Sequence, residues 1–135
     1  MSLKLFAADK FCTEFLKLVK ENARVKSFQK ILFNKIKEWF YKAYRNGQSI
    51  GDRITSTGSE KFEFYKSRIS LPGSKKGKSS GLRVIHYVYD KSTYWLISIY
   101  SKKAEKEPDP KSYPFYIEDI EVHGLTLKPF ELLEQ

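Results

Sequence analysis

Between Val25 and Ala43 the apolar positions recur at spacings of three and four. Val25, Phe28, Leu32, Ile36, Trp39 and Ala43 form the stripe, and Ile31 and Phe40 widen it. That period predicts a helix with one buried face. Lys26, Lys30, Lys35, Lys37 and Lys42 occupy its other sides, a face that reads first as solvated surface and second as a contact for RNA or an acidic partner, and Asn46-Gly47 is a good C-terminal stop. Upstream, Phe11, Phe15 and Leu18 or Val19 mark one side of an earlier helix of roughly three turns, with Asp9 placed to favour its start. Leu3–Phe6 reads as a short strand before it.

After the polar loop Gln48–Gly58 the period changes to two. Phe62–Leu71 is rich in aromatic and β-branched residues and is stopped by Pro72-Gly73. Leu82–Tyr89 carries strand formers on both faces, as a central strand does. Asp90–Thr93 is a turn, and Tyr94–Tyr100 is a further strand. The order strand, helix, helix, three strands predicts an α+β fold with two N-terminal helices packed on a small antiparallel sheet. Beyond Pro108-Asp-Pro110 the composition turns acidic: Glu118, Asp119, Glu121, Glu131 and Glu134 stand against Lys128. Pro129 is placed to start a last short helix. The sequence therefore divides a single domain, residues 1–135, into a core over 3–107 and an acidic C-terminal extension over 108–135, for which two places are open, folded back over the cationic patch or, the favoured expectation, ordinary surface.

Totals narrow the classes. The 135 residues suffice for one core, and 41% hydrophobic with 30% charged residues fits a globular chain. The net charge of +9 points to nucleic acid, an anionic surface or an acidic protein as partner. Nine Tyr and ten Phe are more rings than a small core needs. Cys12 stands alone, which excludes an internal disulfide or a cysteine-based zinc site and favours a cytoplasmic setting. Its expected role is a small packed side chain. Neither a signal peptide nor a membrane span is expected.

Chemistry concentrates where the first two strands of the hairpin meet. Lys66 and Arg68 share one face of the first strand. Arg83 opens the second, and Lys75, Lys76 and Lys78 lie between them without a balancing acid. Pairing of these strands would gather the cations into one patch with Tyr65 or Tyr87 close by. Cations with aromatics on a sheet suit a single-stranded polyanion with stackable bases. A Lys-rich loop is also the composition of plain wet surface. Against that stand Arg83 inside an apolar strand and the small residues Gly77, Ser79, Ser80 and Gly81 around the loop. The run Gly73–Ser79 is one residue short of the phosphate-loop pattern G-x-x-x-x-G-K-[ST]. A strand pattern follows it where that motif requires a helix, which argues against a nucleoside-triphosphatase. His86 and His123 are the two histidines, without ligand spacing, so neither a metal nor a cofactor is expected. His86, on a strand, reads as a core residue, and no Ser-His-Asp arrangement can be proposed.

The segments Lys66-Ser-Arg68, Gly77-Lys-Ser-Ser-Gly-Leu-Arg-Val-Ile-His-Tyr87 and Ile99-Tyr-Ser-Lys-Lys103 resemble the RelE/ParE superfamily of type II toxins, in particular its RelE and HigB types. The likeness covers residues 3 to 107. It implies a RelE-like fold and a metal-independent endoribonuclease, an mRNA interferase that cuts mRNA, often on the ribosome. The partners implied are mRNA and a cognate antitoxin. By position, Lys66 and Arg68 fall on the family's cationic strand, Arg83 on its phosphate-contacting arginine and Lys102 on its later basic residue. In the chemistry so implied the RNA 2′-hydroxyl attacks, Arg83 and Arg68 stabilise charge on the phosphate, and Lys66 is the general base. Lys102 helps protonate the leaving oxygen, Tyr87 stacks on a base or orients the substrate, and Tyr65 with the loop lysines binds RNA. The tail departs from the pattern: the family's short C-terminal helix, with its aromatic or His, has no clear counterpart among Tyr113, Tyr116 and His123. Two other readings stay open, a ParE-like inhibitor of DNA gyrase and a basic RNA-binding module without chemistry.

Overall fold

Helix α2 (Phe28–Arg45) carries the longest periodic stripe, and it buries Phe28, Leu32, Phe33, Ile36, Phe40 and Ala43. A computed structural model describes residues 2–48, 50–73, 81–102, 108–124 and 126–134. The helix starts three residues after Val25, because Ser27 takes a left-handed conformation (φ 57°) that interrupts the pattern. It ends at Asn46 before Gly47 (φ 64°). Helix α1 (Asp9–Glu21) buries Phe11, Cys12, Phe15 and Leu18, and the Asn22 side chain closes its end by donating to the Leu18 carbonyl at 2.8 Å. Cys12 packs in the core, where burial pushes its thiol above the ordinary value.

Among the described residues six strands form one sheet: β1 (Lys4–Ala7), β2 (Asp52–Arg53), β3 (Phe64–Ile69), β4 (Leu82–Asp90), β5 (Thr93–Ser101) and β6 (Lys128–Pro129). Their spatial order is β2-β3-β4-β5-β1-β6. The three strands β3, β4 and β5 form the expected antiparallel meander. The whole sheet is mixed, which corrects the expectation of an antiparallel one. Strand β1 runs parallel to β5, with Leu5 opposite Tyr94 and Phe6 opposite Trp95. Its exit through two helices supplies the long crossover that a parallel pair needs. The short β2 falls within the stretch expected to be a loop. Gly51 (φ 79°) brings the chain onto β3 there, where a Cβ would stand 2.6 Å from the Lys66 carbonyl oxygen.

Two hydrophobic clusters lie on the two faces of the sheet. One joins α1 and α2 to Leu82, Val84, Leu96 and Ile99. The other joins α3 (Tyr113–His123) to Phe64, Ile85, Tyr87, Trp95 and Ile97 through Tyr113 and Ile117. The C-terminal segment is therefore built into the structure, not laid on its surface, and the core extends beyond residue 107. Phe130, fully buried, stacks on Phe33 at 4.5 Å and 8°, and Leu133 packs in the same cluster. Phe130–Glu134 forms a short 3₁₀ turn directly after Pro129. Pro129 itself sits on the outermost strand, where a missing N–H costs no ladder bond. Among the described residues no helix is long and apolar enough to cross a membrane.

Candidate functional site

Register on β3 and β4 decides which side chains meet. Lys66 lies opposite Ile85 and Arg68 opposite Arg83, and Arg83 in turn lies opposite Tyr100 of β5. Directly opposed residues share a face, so Lys66, Arg68 and Arg83 occupy the same side of the sheet. This is the side on which α3 packs. Exposure grades across the group: Arg68 is exposed, Lys66 half-buried and Arg83 only 5% exposed. Arg83 Nη1 donates to the Leu82 carbonyl at 3.2 Å.

A cleft of about 590 Å³ opens beside Lys66 and Arg68. Its floor includes Ile85, one wall is Asp52–Ser56, and the other is Pro108–Pro110 with Tyr113. Asp52 stands directly across from Lys66 in the β2–β3 pair, and Asp109 faces the same space from the opposite wall. The cleft thus offers three cations, Arg53, Lys66 and Arg68, beside two carboxylates, not a uniformly basic surface. Asp109 is held in place, since its carboxylate accepts from the Lys111 N–H at 3.0 Å and its carbonyl accepts from Ser112 Oγ at 2.7 Å. Such a site can seat an anion against Arg68 and Lys66 while its rims read the neighbouring groups.

The remaining predicted residues distribute differently. Lys102 is exposed just past β5, and its N–H donates to the Gly81 carbonyl at 3.2 Å. That places it at the Arg83 end of the sheet, outside the lining of the cleft. Lys75, Lys76 and Lys78 lie outside the described residues. Tyr65, next to Lys66 in sequence, points to the other face, where it stacks on His86 at 5.3 Å and 15°. Burial, and then the Glu63 carboxylate, pushes its phenol upward. Tyr87 shares the cationic face, but its ring is enclosed by Phe62, Phe64 and Trp95 at 5.3 to 5.7 Å. The structure therefore brings Lys66, Arg68 and Arg83 together and leaves both tyrosines out of the open site.

Neither histidine reaches the cleft. His86 is 1% exposed, between Tyr65 and Tyr94 with Phe40 edge-on at 5.0 Å. Burial pushes its imidazole down to about 3. His123 sits exposed at the far end of α3, 3.9 Å from Asp119. Among the described residues no group of three or more His, Cys, Asp or Glu side chains is placed to hold a metal ion. Sequence reasoning missed Asp52, Arg53 and Asp109 as lining groups, and Tyr113, one of the three residues weighed for the family's C-terminal aromatic, also lines the cleft. The stiff Pro108-Asp-Pro110 was the available signal for the second wall. Compared with known proteins, the chain matches no family model and no curated protein.

Proposed function

We propose that this protein is a metal-independent endoribonuclease of the RelE/HigB type, a cytoplasmic toxin that cleaves mRNA and is neutralised by a cognate antitoxin. One observation carries the reading: Lys66, Arg68 and Arg83 share one sheet face beside an open cleft, with the two arginines in direct cross-strand register. The arrangement of α1 and α2 on one face of a β3–β5 meander supports a RelE-like fold. In the proposed reaction the scissile phosphate sits against Arg68, with Arg83 reinforcing the positive field from below. Fixed cations are worth most where charge builds in the transition state. Lys66 takes the proton of the attacking 2′-hydroxyl, and the leaving 5′-oxygen takes a proton from water, since Lys102, the residue expected to supply it, stands outside the lining of the cleft.

One observation favours a second reading, an RNA-binding module without chemistry: Asp52 opposes Lys66 directly, which sets a carboxylate on the strand beside the amine that the reaction needs. Induced expression with 5′-end mapping of cellular mRNA separates the readings. Cuts that vanish in both Lys66→Ala and Arg68→Ala support the nuclease. RNA binding without cuts supports the module, and DNA breaks without mRNA cuts point to gyrase. Lys66 and Arg68 are chosen over Arg83 because a buried arginine cannot be removed without a test of folding.

A further inference from the structure

Arg68 borders two cavities. Strand β2 pairs with Tyr65 and Lys66, and among the described residues no strand pairs with the outer edge of β3 at Ser67, Arg68 and Ile69. Around that open edge the cleft gives way to a groove of about 410 Å³ between α2 and β3, and Arg68 lines both. Lys35, Trp39 and Lys42 of α2 line the groove with Ser70, and Glu38 is its one acid. The groove sets Lys35, Lys42 and Arg68 against Glu38, and the cleft sets Arg53, Lys66 and Arg68 against Asp52 and Asp109, so both are net positive and the groove the more so. Two hydrogen bonds fix this wall against β3: Lys35 Nζ donates to Ser70 Oγ at 2.7 Å, and Trp39 Nε1 donates to Ser67 Oγ at 2.9 Å. Lys35 and Lys42 stand seven residues apart on one helix, two turns, so both face the same way. Their period, read from sequence as the solvated side of an amphipathic helix, is also the period of a cationic rail.

We propose that a single RNA strand leaves the cleft over Arg68 and continues along this groove, with Lys35 and Lys42 each meeting a phosphate and the accessible edge of the partly buried Trp39 ring meeting a base. The identity of the ligand rests on the ribonuclease reading of the cleft; the track itself does not require cleavage. A single-stranded polyanion that passes a positive groove beside an aromatic ring gains from both terms. An acidic peptide added as a strand to β3 is the competing occupant. The free edge, Ser67 to Ile69, is shorter than an ordinary strand, and the cations lie along a path continuous with the cleft, so RNA fits better.

The test uses the full chain and 2′-O-methyl oligoribonucleotides, which cannot be cut through their own 2′-oxygen. Binding of a 12-mer and of a 4-mer is measured by fluorescence anisotropy across a salt series. Lys35→Ala/Lys42→Ala is expected to weaken the 12-mer about tenfold and to reduce its salt slope by about 1.4, the value for two lost phosphate contacts on a single strand. The 4-mer, satisfied by the cleft, is expected to change less than about twofold, on the same contact count. Lys42→Ala alone, at an exposed position, gives half the slope change and guards against misfolding caused by loss of the Lys35–Ser70 bond. Equal effects on both lengths, no effect on either, or no binding by the parent protein would each overturn the track. So would an unchanged 12-mer with lost binding of an oligo-glutamate peptide, which would assign the groove to a protein strand. A length-dependent loss in a protein that makes no cuts in mRNA would uphold the track and sink the nuclease.

Discussion

On the side of the sheet under α1 and α2, Leu82, Val84, Leu96 and Ile99 are buried in a continuous apolar layer, and burial holds the His86 imidazole there in its neutral form. On the side under α3, the apolar cluster stops at Ile85, and Lys66 and Arg68 border water. The same strands supply both surfaces, residue by residue. Tyr65 and Lys66, neighbours in the chain, belong to opposite environments, as do Arg83 and Val84. What separates them is how much of each face is roofed. Two long helices cover the first face, whereas the eleven-residue α3 covers only part of the second. The partial roof is what leaves room for a polar cleft next to a hydrophobic core.

The strongest way to break this contrast is to remove the ring that ties the C-terminal segment to the fully covered side. Phe130→Ala should cost about 3–5 kcal/mol, read as a lower midpoint in urea unfolding, because Phe130 stacks on Phe33 and meets Phe11 edge-on. Leu132→Ala, two residues away and exposed, should stay within about 0.5 kcal/mol. If both behave alike, the segment is not part of the core. On the open side, the proposed nuclease site requires that Lys66→Ala and Arg68→Ala leave the unfolding midpoint nearly unchanged and reduce cleavage of an mRNA substrate about 10²–10³-fold. Single-turnover rates check this. A large stability loss with activity retained per folded molecule would assign these residues to structure.

Acid sharpens the comparison further. His86 has a folded value of about 3 against an ordinary 6.5. Between those limits the unfolded chain binds a proton that the folded chain refuses. Its contribution is therefore intact above pH 6.5 and is lost progressively as pH falls toward 3, with a slope of up to about 1.4 kcal/mol per unit. His86→Leu should flatten the stability profile between pH 6 and pH 4, roughly the middle of that window. An unchanged slope would mean that the ring is not the source. The smallest effect concerns the seam between α2 and β3. Trp39→Phe removes the donor to Ser67 Oγ and should cost about 1 kcal/mol by urea unfolding, without altering that acid slope.

Much of the covered side was legible in the sequence. The spacing of Phe28, Leu32, Ile36 and Ala43 shows one helical face, and the two-residue period around Lys66 and Arg68 places both on one side of a strand. The same period puts Tyr65 on the opposite side from Lys66, so its grouping with the cations rested on nearness in the chain alone. Helix α3 escaped because Tyr113, Phe115, Ile117, Ile120 and Val122 spread its apolar residues around the axis. Tertiary contact, not pattern, selects Tyr113 and Ile117 as its buried residues. Strand β2 spans two residues, too few for any period. The cleft walls come from such irregular segments, so Asp52 and Asp109 could not be paired with Lys66 from the sequence.

The first strand lies between β5 and β6, so Lys4 must find Thr93 and Phe6 must find Pro129. Hairpins between neighbours in the chain close quickly, while pairings across so much sequence wait on loop closure. Until that closure the far side of β5 is thus a vacant berth after the meander has formed. Another growing copy, with the same unfilled place, is the rival for it. Crowded translation at high temperature should therefore yield tangled multimers, and slow, cool expression should yield monomers.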